Sequence, residues 1–289
     1  MSTIKELMRR LGLRRSKLLP LHLQYAWRFM SARKEFCLLL KPNTFSQKLF
    51  YKMLYDRRPL LVTFADKLQA REYVRQKIGD DILIDLLLIT DRPEEIKFGQ
   101  LPEKFVVKAN HGSGYVRIVD QRHDTESDIR QTCQKWLSQK YSDWNMEWFY
   151  VPISPRILIE RMLDPGDGEV PSDYKFFVFN GRAFMIQVDS DRFTDHRRDL
   201  YSRDWERFDV KYKCPKVKGN IPRPACLPKM LEIAECLGSE VDFVRVDLYE
   251  VGGRVFFGEL TNVPTGGWGK FDPPEFDAIL GRQWQIAGY

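Results

Sequence analysis

Two strand-like segments meet at a pair of glycines in residues 241–262, which read VDFVRVDLYEVGGRVFFGELTN. The even positions of both segments are apolar or aromatic, at Val244, Val246, Leu248, Phe256 and Leu260. The odd positions include Arg245, Asp247, Glu259 and Thr261. Because side chains alternate between the two faces of a strand, the polar set shares one face only when odd positions pair with odd positions. The pattern therefore predicts a hairpin with one apolar and one charged face.

The connection between the two strands determines whether Asp247 and Glu259 meet. A two-residue turn at Gly252-Gly253 would pair residue 251 with 254 and place the two acids on opposite faces. A three- or five-residue connection would pair 251 with 255 and set Asp247 directly across from Glu259. The apolar pattern requires the second register, so we predict a longer loop with a bulge at the glycines.

Two directly opposed carboxylates, about 5 Å apart at Cβ, repel each other unless a cation lies between them. Carboxylate oxygens with no His or Cys nearby suit Mg²⁺, which commonly bridges nucleotide phosphates as well. The alternative is a solvated face on which Arg245 pairs with both acids. The turn-rich segment NVPTGG at 262–267 supplies further backbone donors beside the acids and favours the metal site.

A second candidate site is the glycine-rich loop NHGSG at residues 110–114, which follows Lys108 in the strand-like run FVVKA. Glycines let backbone N–H groups approach an anion closely, and the lysine adds a positive charge. The loop is neither GxxxxGK[ST] nor a dinucleotide fingerprint, because Arg117 stands at the third glycine position and a strand follows. A plain hairpin turn would use the same residues, so phosphate binding and a simple turn both remain open.

Helical patterns precede residue 105, and strand-like runs follow it. Residues 46–78 predict two helices on either side of Arg57-Arg58-Pro59, a short buried element follows at 82–89, and a further helix covers 124–141. The predicted strands are FVVKA, YVRIVD, ILIERM, DYKFFVF, AFMIQVD, VDFVRVDLY and RVFFGEL, with a hairpin at Asn180-Gly181. This order lacks a regular alternation of strand and helix, and it predicts an α+β fold rather than a doubly wound sheet.

The composition of the 289 residues is that of a globular protein, since 43% are hydrophobic and 30% are charged. Wholesale disorder and fibrous repeats are thereby excluded. No apolar run approaches the ~18 residues that span a bilayer, and no signal peptide is recognisable. The five cysteines form no CxxC pair and the four histidines are scattered, so we expect neither a disulfide framework nor a zinc site. These features predict a cytoplasmic protein.

The net charge of +6 comes mainly from the N-terminus. Residues 4–17 contain six Lys or Arg and one Glu around several leucines, and without this segment the chain is nearly neutral. A basic amphipathic helix here would associate peripherally with an anionic surface such as the inner face of a membrane. The alternative, which we favour, is a helix that docks on the protein through its leucines.

Five ordered segments together resemble the ATP-grasp superfamily, and more specifically its teichuronopeptide-biosynthesis (TupA-like) branch. They are ADKLQAREYV, LPEKFVVKANHGSG, PRILIERML, DYKFFVFNGRAFMIQVDSDR and VRVDLYEVGGRVFFGELTNVPTGG. The resemblance runs from about residue 41 to 285 and implies a nucleotide clamped between two sheet-containing lobes. We therefore expect a basic helical extension at 1–40, a mostly helical region at 41–104, a lid lobe at 105–163 and a C-terminal lobe with the substrate site at 164–289.

The resemblance implies ATP and Mg²⁺ as cofactors. The residues implied to contact ATP are Lys67 and Lys108 at the phosphates, Gly112, Ser113 and Gly114 in a flexible lid, Glu160, Arg161, Met162 and Leu163 at the adenine, and Lys175 facing the nucleotide. Asp247 and Glu259 would ligate Mg²⁺. Arg245 and Arg192 would stabilise an acyl phosphate or a substrate carboxylate.

The resemblance leaves the third metal ligand open. Many members of the superfamily carry a metal-binding Asn two residues after the glutamate, where this chain has Thr261, followed by Asn262. Thr261 faces the acids by alternation, and Asn262 does not unless the strand ends before it. Both residues are therefore candidate metal ligands.

The implied activity is that of an ATP-dependent carboxylate–amine ligase, which forms an acyl phosphate and then an amide. For the TupA-like branch, the implied substrates are an amino acid or amine and a uronic acid or amino sugar of a cell-surface polysaccharide. The basic run between Arg192 and Arg203 is either a binding site for such a saccharide or a solvated loop.

Two other functions fit parts of the sequence. A non-catalytic ATP-grasp-like protein would bind an anionic glycan or lipid without turnover. A nucleic-acid-binding protein fits the basic charge, but Lys and Arg are interspersed with Asp and Glu and no recognised motif is present, so we expect no nucleic-acid partner. His111 lies in the glycine-rich loop, where we expect a loop residue rather than a base.

Overall fold

The computed structural model describes residues 21–33, 41–139, 141, 147–166, 170–190 and 196–286. Two of the predictions, the basic segment at 4–17 and Arg192, lie outside these residues. No helix in the described ranges is long and apolar enough to cross a membrane.

Helices dominate the first part of the described chain. Their bounds are Leu21–Arg33 (α1), Phe45–Tyr55 (α2), Leu60–Ala65 (α3), Lys67–Lys77 (α4), Glu126–Ser138 (α5), Leu227–Leu237 (α6) and Glu275–Gln283 (α7). Short 3₁₀ turns lie at Pro93–Glu95, Phe98–Gln100, Trp148–Tyr150 and Pro264–Gly267. The single helix predicted before Gly79 is divided at Asp66, because its carboxylate accepts a hydrogen bond from Leu68 N at 2.9 Å and caps a new helix there.

The strands in the described part of the chain form three antiparallel sheets. The first sheet contains Leu86–Thr90 (β1), Lys104–Ala109 (β2), Val116–Asp120 (β3) and Ile157–Arg161 (β4), in the order β1-β4-β2-β3. The second sheet contains Asp173–Phe179 (β5), Arg182–Ser190 (β6), Arg197–Ser202 (β7), Phe243–Val251 (β9) and Arg254–Thr261 (β10), in the order β10-β9-β5-β6-β7. A short ribbon pairs Lys211–Tyr212 (β8) with Phe271–Asp272 (β11). All the predicted strands are present, and the α+β class is confirmed.

The first sheet is apolar on the face that packs on α5. Phe105 and Val107 are buried there in one cluster with Ile129 of the helix. The element predicted as buried at 82–89 is buried only in its first three residues, because β1 lies at the edge of the sheet and leaves Ile89 47% exposed. The opposite face of the sheet faces a cavity that the second sheet also lines.

The second sheet has one apolar face and one mixed face. Phe176 and Val246 belong to the apolar cluster that contains the buried side chains of α6. On the mixed face, Phe177 and Phe243 form an aromatic core with Phe45 of α2. The rest of that face carries the charged residues of the candidate site.

The turns at Asn180-Gly181 and Gly252-Gly253 are tight two-residue hairpin turns. Asn180-Gly181 connects β5 to β6 as predicted, with both φ angles positive. In the β9–β10 hairpin, Val251 pairs with Arg254 across Gly252-Gly253, which also have positive φ. The longer loop predicted at these glycines is therefore wrong, because two glycines satisfy the left-handed conformation of a two-residue turn.

The extra residue of this hairpin is Gly258, where the register of β10 shifts. A Cβ at this position would lie 3.0 Å from the backbone oxygen of Asp247, so the bulge requires glycine. Beyond the bulge, Asp247 is directly opposite Glu259, as predicted. The bulge reverses the alternation of side chains along β10, so Val255 is buried on the apolar face and Phe256 lies on the opposite face. The prediction that Phe256 belongs to the apolar face is therefore wrong.

Candidate active site

A cavity of about 510 Å³ lies between the first and second sheets. This volume is within the range of small-molecule and cofactor sites. The first sheet lines the cavity with Val106, Lys108, Val116 and Ile118, and the predicted adenine contacts Glu160, Arg161, Met162 and Leu163 line it as well. The second sheet contributes Asp173, Tyr174, Asp189, Ser190, Tyr249 and Glu250. One wall is therefore mainly apolar, and the other is acidic.

Lys108 and Glu160 share the cavity face of the first sheet. Lys108 pairs with Leu158 in the β2–β4 ladder, so Glu160 is its diagonal neighbour on that face. Lys108 Nζ lies 2.6 Å from Glu160 Oε2, and Arg71 Nη1 of α4 lies 3.1 Å from Oε1. The Glu160 side chain, at the predicted adenine hinge, is thus directed to the predicted phosphate lysine.

Lys67 is the first residue of α4 and reaches the glycine-rich loop. Its Nζ donates a hydrogen bond to Gly112 O at 2.6 Å and lies 3.8 Å from Glu259 Oε1. Burial lowers the pKa of Lys67, the charge of Glu259 opposes this shift, and Lys108 adds to it. The structure therefore brings both predicted phosphate lysines to the same small group of charges.

The glycine-rich loop is held at its base by two buried residues. Asn110 Nδ2 donates to Asp66 Oδ1 at 3.0 Å, and Asn110 Oδ1 accepts from Arg156 N at 2.7 Å. His111 Nε2 lies 3.1 Å from Trp136 O, and burial lowers the pKa of this histidine. The contacts fit a histidine that packs the loop against α5.

The three predicted lid residues differ in their exposure. Gly112 is buried, and a Cβ there would lie 2.7 Å from the Tyr115 ring, so only glycine fits. Ser113 and Gly114 are exposed, and Gly114 has a φ of 78°. The tip of the loop is therefore open to solvent while its base is packed.

Asp247 and Glu259 lie at the end of the second sheet that is close to Lys67. Arg245 Nε and Nη2 each lie 2.6 Å from an oxygen of Asp247, and Nη2 is 3.9 Å from Glu259 Oε2. Lys175 Nζ lies 2.7 Å from Asp247 Oδ2. Arg245 thus contacts both acids, but Asp247 is only 3% exposed, so the face is not the solvated one of the alternative interpretation.

The charges around Asp247 determine its protonation. Burial alone would raise the pKa of Asp247, but Arg245 and Lys175 outweigh burial and lower that pKa. The pKa of Arg245 is raised, because the charge of Asp247 and its hydrogen bonds outweigh the lowering effect of burial. The carboxylate is therefore ionised and carries two cationic partners.

A sequence model of the family described as TupA-like ATPgrasp matches residues 47–285. The chain belongs to the TupA-like ATP-grasp family. The match includes both large sheets, the glycine-rich loop and the β9–β10 hairpin, and it confirms the resemblance. ATP-grasp ligases use ATP together with Mg²⁺, and these are the cofactors of the family. No curated protein sequence matches the chain.

Several solved structures are similar to this TupA-like protein. D-alanine–D-alanine ligase from Bacillus anthracis, complexed with ATP, has 15% identity and a TM-score of 0.44 over 71% of this chain and 56% of its own. Phosphoribosylamine–glycine ligase from Thermotoga maritima has 12% identity and a TM-score of 0.46 over 75% and 55%. An ADP complex of N5-carboxyaminoimidazole ribonucleotide synthetase has 12% identity and a TM-score of 0.47 over 77% and 52%. The chain spans about half the length of these proteins.

The donor chemistry of the TupA-like protein at this site fits Mg²⁺. Asp247 and Glu259 offer carboxylate oxygens, and no group of three or more His, Cys, Asp or Glu in the described ranges is arranged to hold a metal. Neutral oxygens are therefore needed as well. Thr261 Oγ1 and Asn262 Oδ1 are buried without a hydrogen-bond partner among the described residues, while Asn262 Nδ2 donates to Leu61 O at 2.7 Å. Both oxygens remain candidates for the third ligand, because a buried oxygen without a donor is costly unless a cation or water engages it.

A row of buried polar side chains extends from Lys175 across the second sheet, and its other members were not among the predicted site residues. Asp173, Gln187, Asp189 and Arg198 are each at most 8% exposed. Burial alone would raise the pKa of Asp189, but Arg198, whose Nε lies 2.5 Å away, lowers it to about 2. Period-two alternation in DYKFF and IQVD was the available signal, because it places these polar residues on one face.

The basic run between Arg192 and Arg203 is largely neutralised in its described part. Arg198 pairs with Asp189, and Arg203 Nη2 lies 3.2 Å from Glu235 Oε1. These two arginines are therefore engaged within the protein and do not form the free cationic surface of the saccharide interpretation.

Glu147 is a further acid near Glu259, and no sequence pattern marks it. It is 5% exposed, and burial together with the charge of Glu259 raises its pKa to about 8. Tyr150, in the next turn, also has a raised pKa because of burial and the charge of Glu147. A carboxyl with this raised pKa takes up a proton readily near neutral pH, which limits the negative charge beside the partly exposed Glu259.

Proposed function

We propose that this protein is an ATP-dependent carboxylate–amine ligase. One observation carries the proposal: Lys67 lies 3.8 Å from Glu259, so the cationic phosphate end of the cavity adjoins the paired acids of the β9–β10 hairpin. Activation of a carboxylate by ATP needs this combination, because negative charge grows on the transferring phosphoryl group and must be neutralised.

The residues that would bind ATP have roles that follow from their positions in the cavity. Val106, Ile118 and the backbone at Met162-Leu163 would hold the base and sugar, and Lys67 and Lys108 would hold the phosphates. Gly112 fixes the base of the loop, so that the exposed backbone of Ser113 and Gly114 can cover the phosphates. Each contact serves positioning, which accounts for much of the rate of phosphoryl transfer.

Residues of the second sheet would neutralise the negative charge of the phosphoryl group. Asp247, Glu259 and a neutral oxygen of Thr261 or Asn262 would hold Mg²⁺, which would supply positive charge and Lewis acidity to the transferring phosphoryl group. Arg245 is already beside both acids and would stabilise the acyl phosphate or the substrate carboxylate. Arg192 is assigned the same role by the resemblance. Lys175, which pairs with Asp247, would face the nucleotide.

The substrates follow from the TupA-like branch. We infer that the protein joins an amino acid or amine to a uronic acid or amino sugar during synthesis of a cell-surface polysaccharide. The reaction would take place in the cytoplasm, at the inner face of the membrane if the basic segment at 4–17 binds anionic lipid.

ADP release with Mg·ATP, measured across a panel of uronic acids, amino sugars and amino acids, tests the proposed activity. We expect release that depends on one carboxylate–amine pair and is lost in Asp247→Ala and Glu259→Ala. Asp209→Asn is a matched control, because Asp209 is fully exposed and pairs with Lys216 at the surface. Undiminished release in both alanine variants would show that the site is wrongly assigned.

A non-catalytic binder of anionic glycan or lipid is the second candidate function. It is favoured by the two cationic partners of Asp247, Arg245 and Lys175, which leave that carboxylate neutralised without a metal. Such a binder would bind ATP equally well with and without Mg²⁺ and would release no ADP with any pair of substrates. Titration of ATP at varied Mg²⁺ concentration separates the two functions.

A further inference from the structure

The carboxylate of Glu160 has one cationic partner on each oxygen. Oε2 lies 2.6 Å from Lys108 Nζ on β2, and Oε1 lies 3.1 Å from Arg71 Nη1 on α4. Glu160 is 5% exposed, and Oε2 accepts no hydrogen bond from the residues that the structure describes. The ammonium of Lys108 therefore balances the charge on that oxygen.

A lysine that is paired one-to-one with a carboxylate is a poor site for an anion. A phosphate group that approaches Lys108 also approaches the negative charge of Glu160, whose Oε2 lies only 2.6 Å from the ammonium nitrogen. Attraction to the ammonium and repulsion by the carboxylate then largely cancel. The phosphate role of Lys108 thus requires a second positive charge on Glu160.

Arg71 supplies this charge and is held in place for it. Its Nη2 donates to Ile84 O at 2.7 Å while Nη1 faces Glu160, and its side chain is 11% exposed. Arg71 lies four residues after Lys67 on α4, so the two cations share one face of the helix. A small recess beside the main cavity is lined by Lys67, Arg71, Lys108, Glu160 and Glu259.

We propose that Arg71 is a positioning residue of the nucleotide site, which balances Glu160 so that the Lys108 ammonium stays available to a phosphate group. The inference rests on the proposed ATP-dependent function and adds a residue to its site. Arg71 acts through Glu160 and does not touch the nucleotide. Arginine suits the position because its planar guanidinium serves a carboxylate and a carbonyl at once and stays charged.

Isothermal titration calorimetry of the full chain with Mg·ATP tests the role of Arg71. In Arg71→Gln, the Kd for Mg·ATP should rise about tenfold, since an unbalanced Glu160 neutralises Lys108. In the double variant Arg71→Gln/Glu160→Gln, the unbalanced carboxylate is gone, and the Kd should return to within about threefold of the wild type.

The double variant separates the electrostatic role from a structural one. If Arg71 acted by direct phosphate contact or only through Ile84, the double variant would bind as weakly as Arg71→Gln, and the proposal would be overturned. An unchanged Kd in Arg71→Gln would overturn it as well. Arg71→Lys keeps the positive charge beside Glu160 but not the fork that also reaches Ile84 O, so its Kd for Mg·ATP should rise by clearly less than tenfold. This variant tests the same point if Arg71→Gln fails to fold, and a rise of tenfold or more would overturn the proposal.

Arg75→Gln is the matched control on the same helix. Arg75 is about half exposed and pairs with Glu72 and Asp80 at the surface, so its loss should leave the Kd unchanged. The proposed function fails in a distinguishable way: a wild type that does not bind Mg·ATP overturns both proposals. A wild type that binds while the variants depart from the expected pattern overturns only the role of Arg71.

Discussion

The two large sheets are alike on the face that packs on a helix and differ on the face that lines the cavity. Each packs an apolar face on a helix, α5 for the first sheet and α6 for the second. The cavity face of the first sheet is mainly apolar, with Val106 opposite Ile118 and Lys108 opposite Val116. The corresponding face of the second sheet carries buried charges that include Lys175 and Asp247.

This difference separates binding from chemistry. Apolar area contributes to affinity roughly in proportion to the surface that a ligand covers, so the first sheet suits a base and sugar. Buried charges cost desolvation and are seldom better for stability than apolar packing, so a row of them indicates a functional requirement. We therefore expect substitutions on the second sheet to change the rate, and substitutions on the first sheet to change the affinity for ATP.

The largest effect is expected for Asp247→Asn on the second sheet. ADP release should fall about a thousandfold, because a metal ligand and the partner of Arg245 and Lys175 are lost together. The rate of ADP release at saturating Mg·ATP measures this, with Asp209→Asn as the exposed control. A rate within tenfold of the wild type would contradict the assignment of the chemistry to the second sheet and of ATP binding to the first.

Gly258→Ala should have the next largest effect. A Cβ at this position would lie 3.0 Å from Asp247 O, so the bulge must shift and carry Glu259 away from Asp247. We expect ADP release to fall about a hundredfold, as for a catalytic group displaced by about 1 Å. Gly99→Ala is the control, since a Cβ there has no atom within 4 Å. Full activity in Gly258→Ala would mean that the opposition of the two acids is not required.

Asp242 lies directly before β9 and is a buried charge away from the cavity. Its substitution tests whether such a charge stabilises the folded state rather than the reaction. Burial alone would raise its pKa, but Lys52 and Arg58 lower it from 3.8 to about 2. A lowered carboxyl pKa stabilises the folded state above pH ~4, and this contribution is lost as the pH falls toward 2. Asp242→Asn should therefore lower the free energy of unfolding by about 2 kcal/mol at pH 7.

Chemical denaturation at several pH values measures the Asp242 effect. The gap between wild type and Asp242→Asn should narrow as the pH falls from about 4 to 2, whereas Asp80→Asn, at an exposed surface pair, should show no such gap. A gap that is constant over this range would contradict the assigned cause. ADP release per folded molecule should stay unchanged in Asp242→Asn.

The smallest effect is expected for Ile118→Ala on the first sheet. Removing part of the apolar wall should raise the KM for ATP about fivefold and leave kcat unchanged, because ground state and transition state lose the same contact. Initial rates at varied ATP measure both constants, and Ile89→Ala on the exposed edge of the same sheet is the control. A fall in kcat with unchanged KM would contradict the division of labour between the sheets.

The strands of both sheets could be predicted because their signals are local. Hairpin turns at Asn180-Gly181 and alternation along β5, β6 and β9 depend only on neighbouring residues. The register at Asp247 and Glu259 was predicted correctly for the wrong reason, since the extra residue is Gly258 and not part of the turn. A glycine inside a strand is itself a bulge signal, and it was available in RVFFGEL.

Arg71 and Glu147 could not be predicted from the chain. Arg71 meets Glu160 across 89 residues, and helical periodicity assigns a face to a side chain without naming the strand that this face will meet. Glu147 has a raised pKa only because the fold buries it near Glu259. Asp66 similarly ends one helix and starts another, and the choice depends on which backbone N–H groups need a cap.

The amino-acid sequence established the α+β class, the strands, the facing acids of the β9–β10 hairpin and the resemblance to the TupA-like ATP-grasp family. These features follow from residues that are adjacent in the chain or one strand apart, where alternation and turn chemistry operate. The tertiary structure decided which charges meet in the cavity and in the small recess beside it. Lys67, Lys108, Glu160 and Glu259 come from a helix and two different sheets, and only their packing brings them within 4 Å of a partner of opposite charge. Electrostatic interactions depend on distance in space and on burial, and neither quantity can be derived from the order of the residues in the sequence.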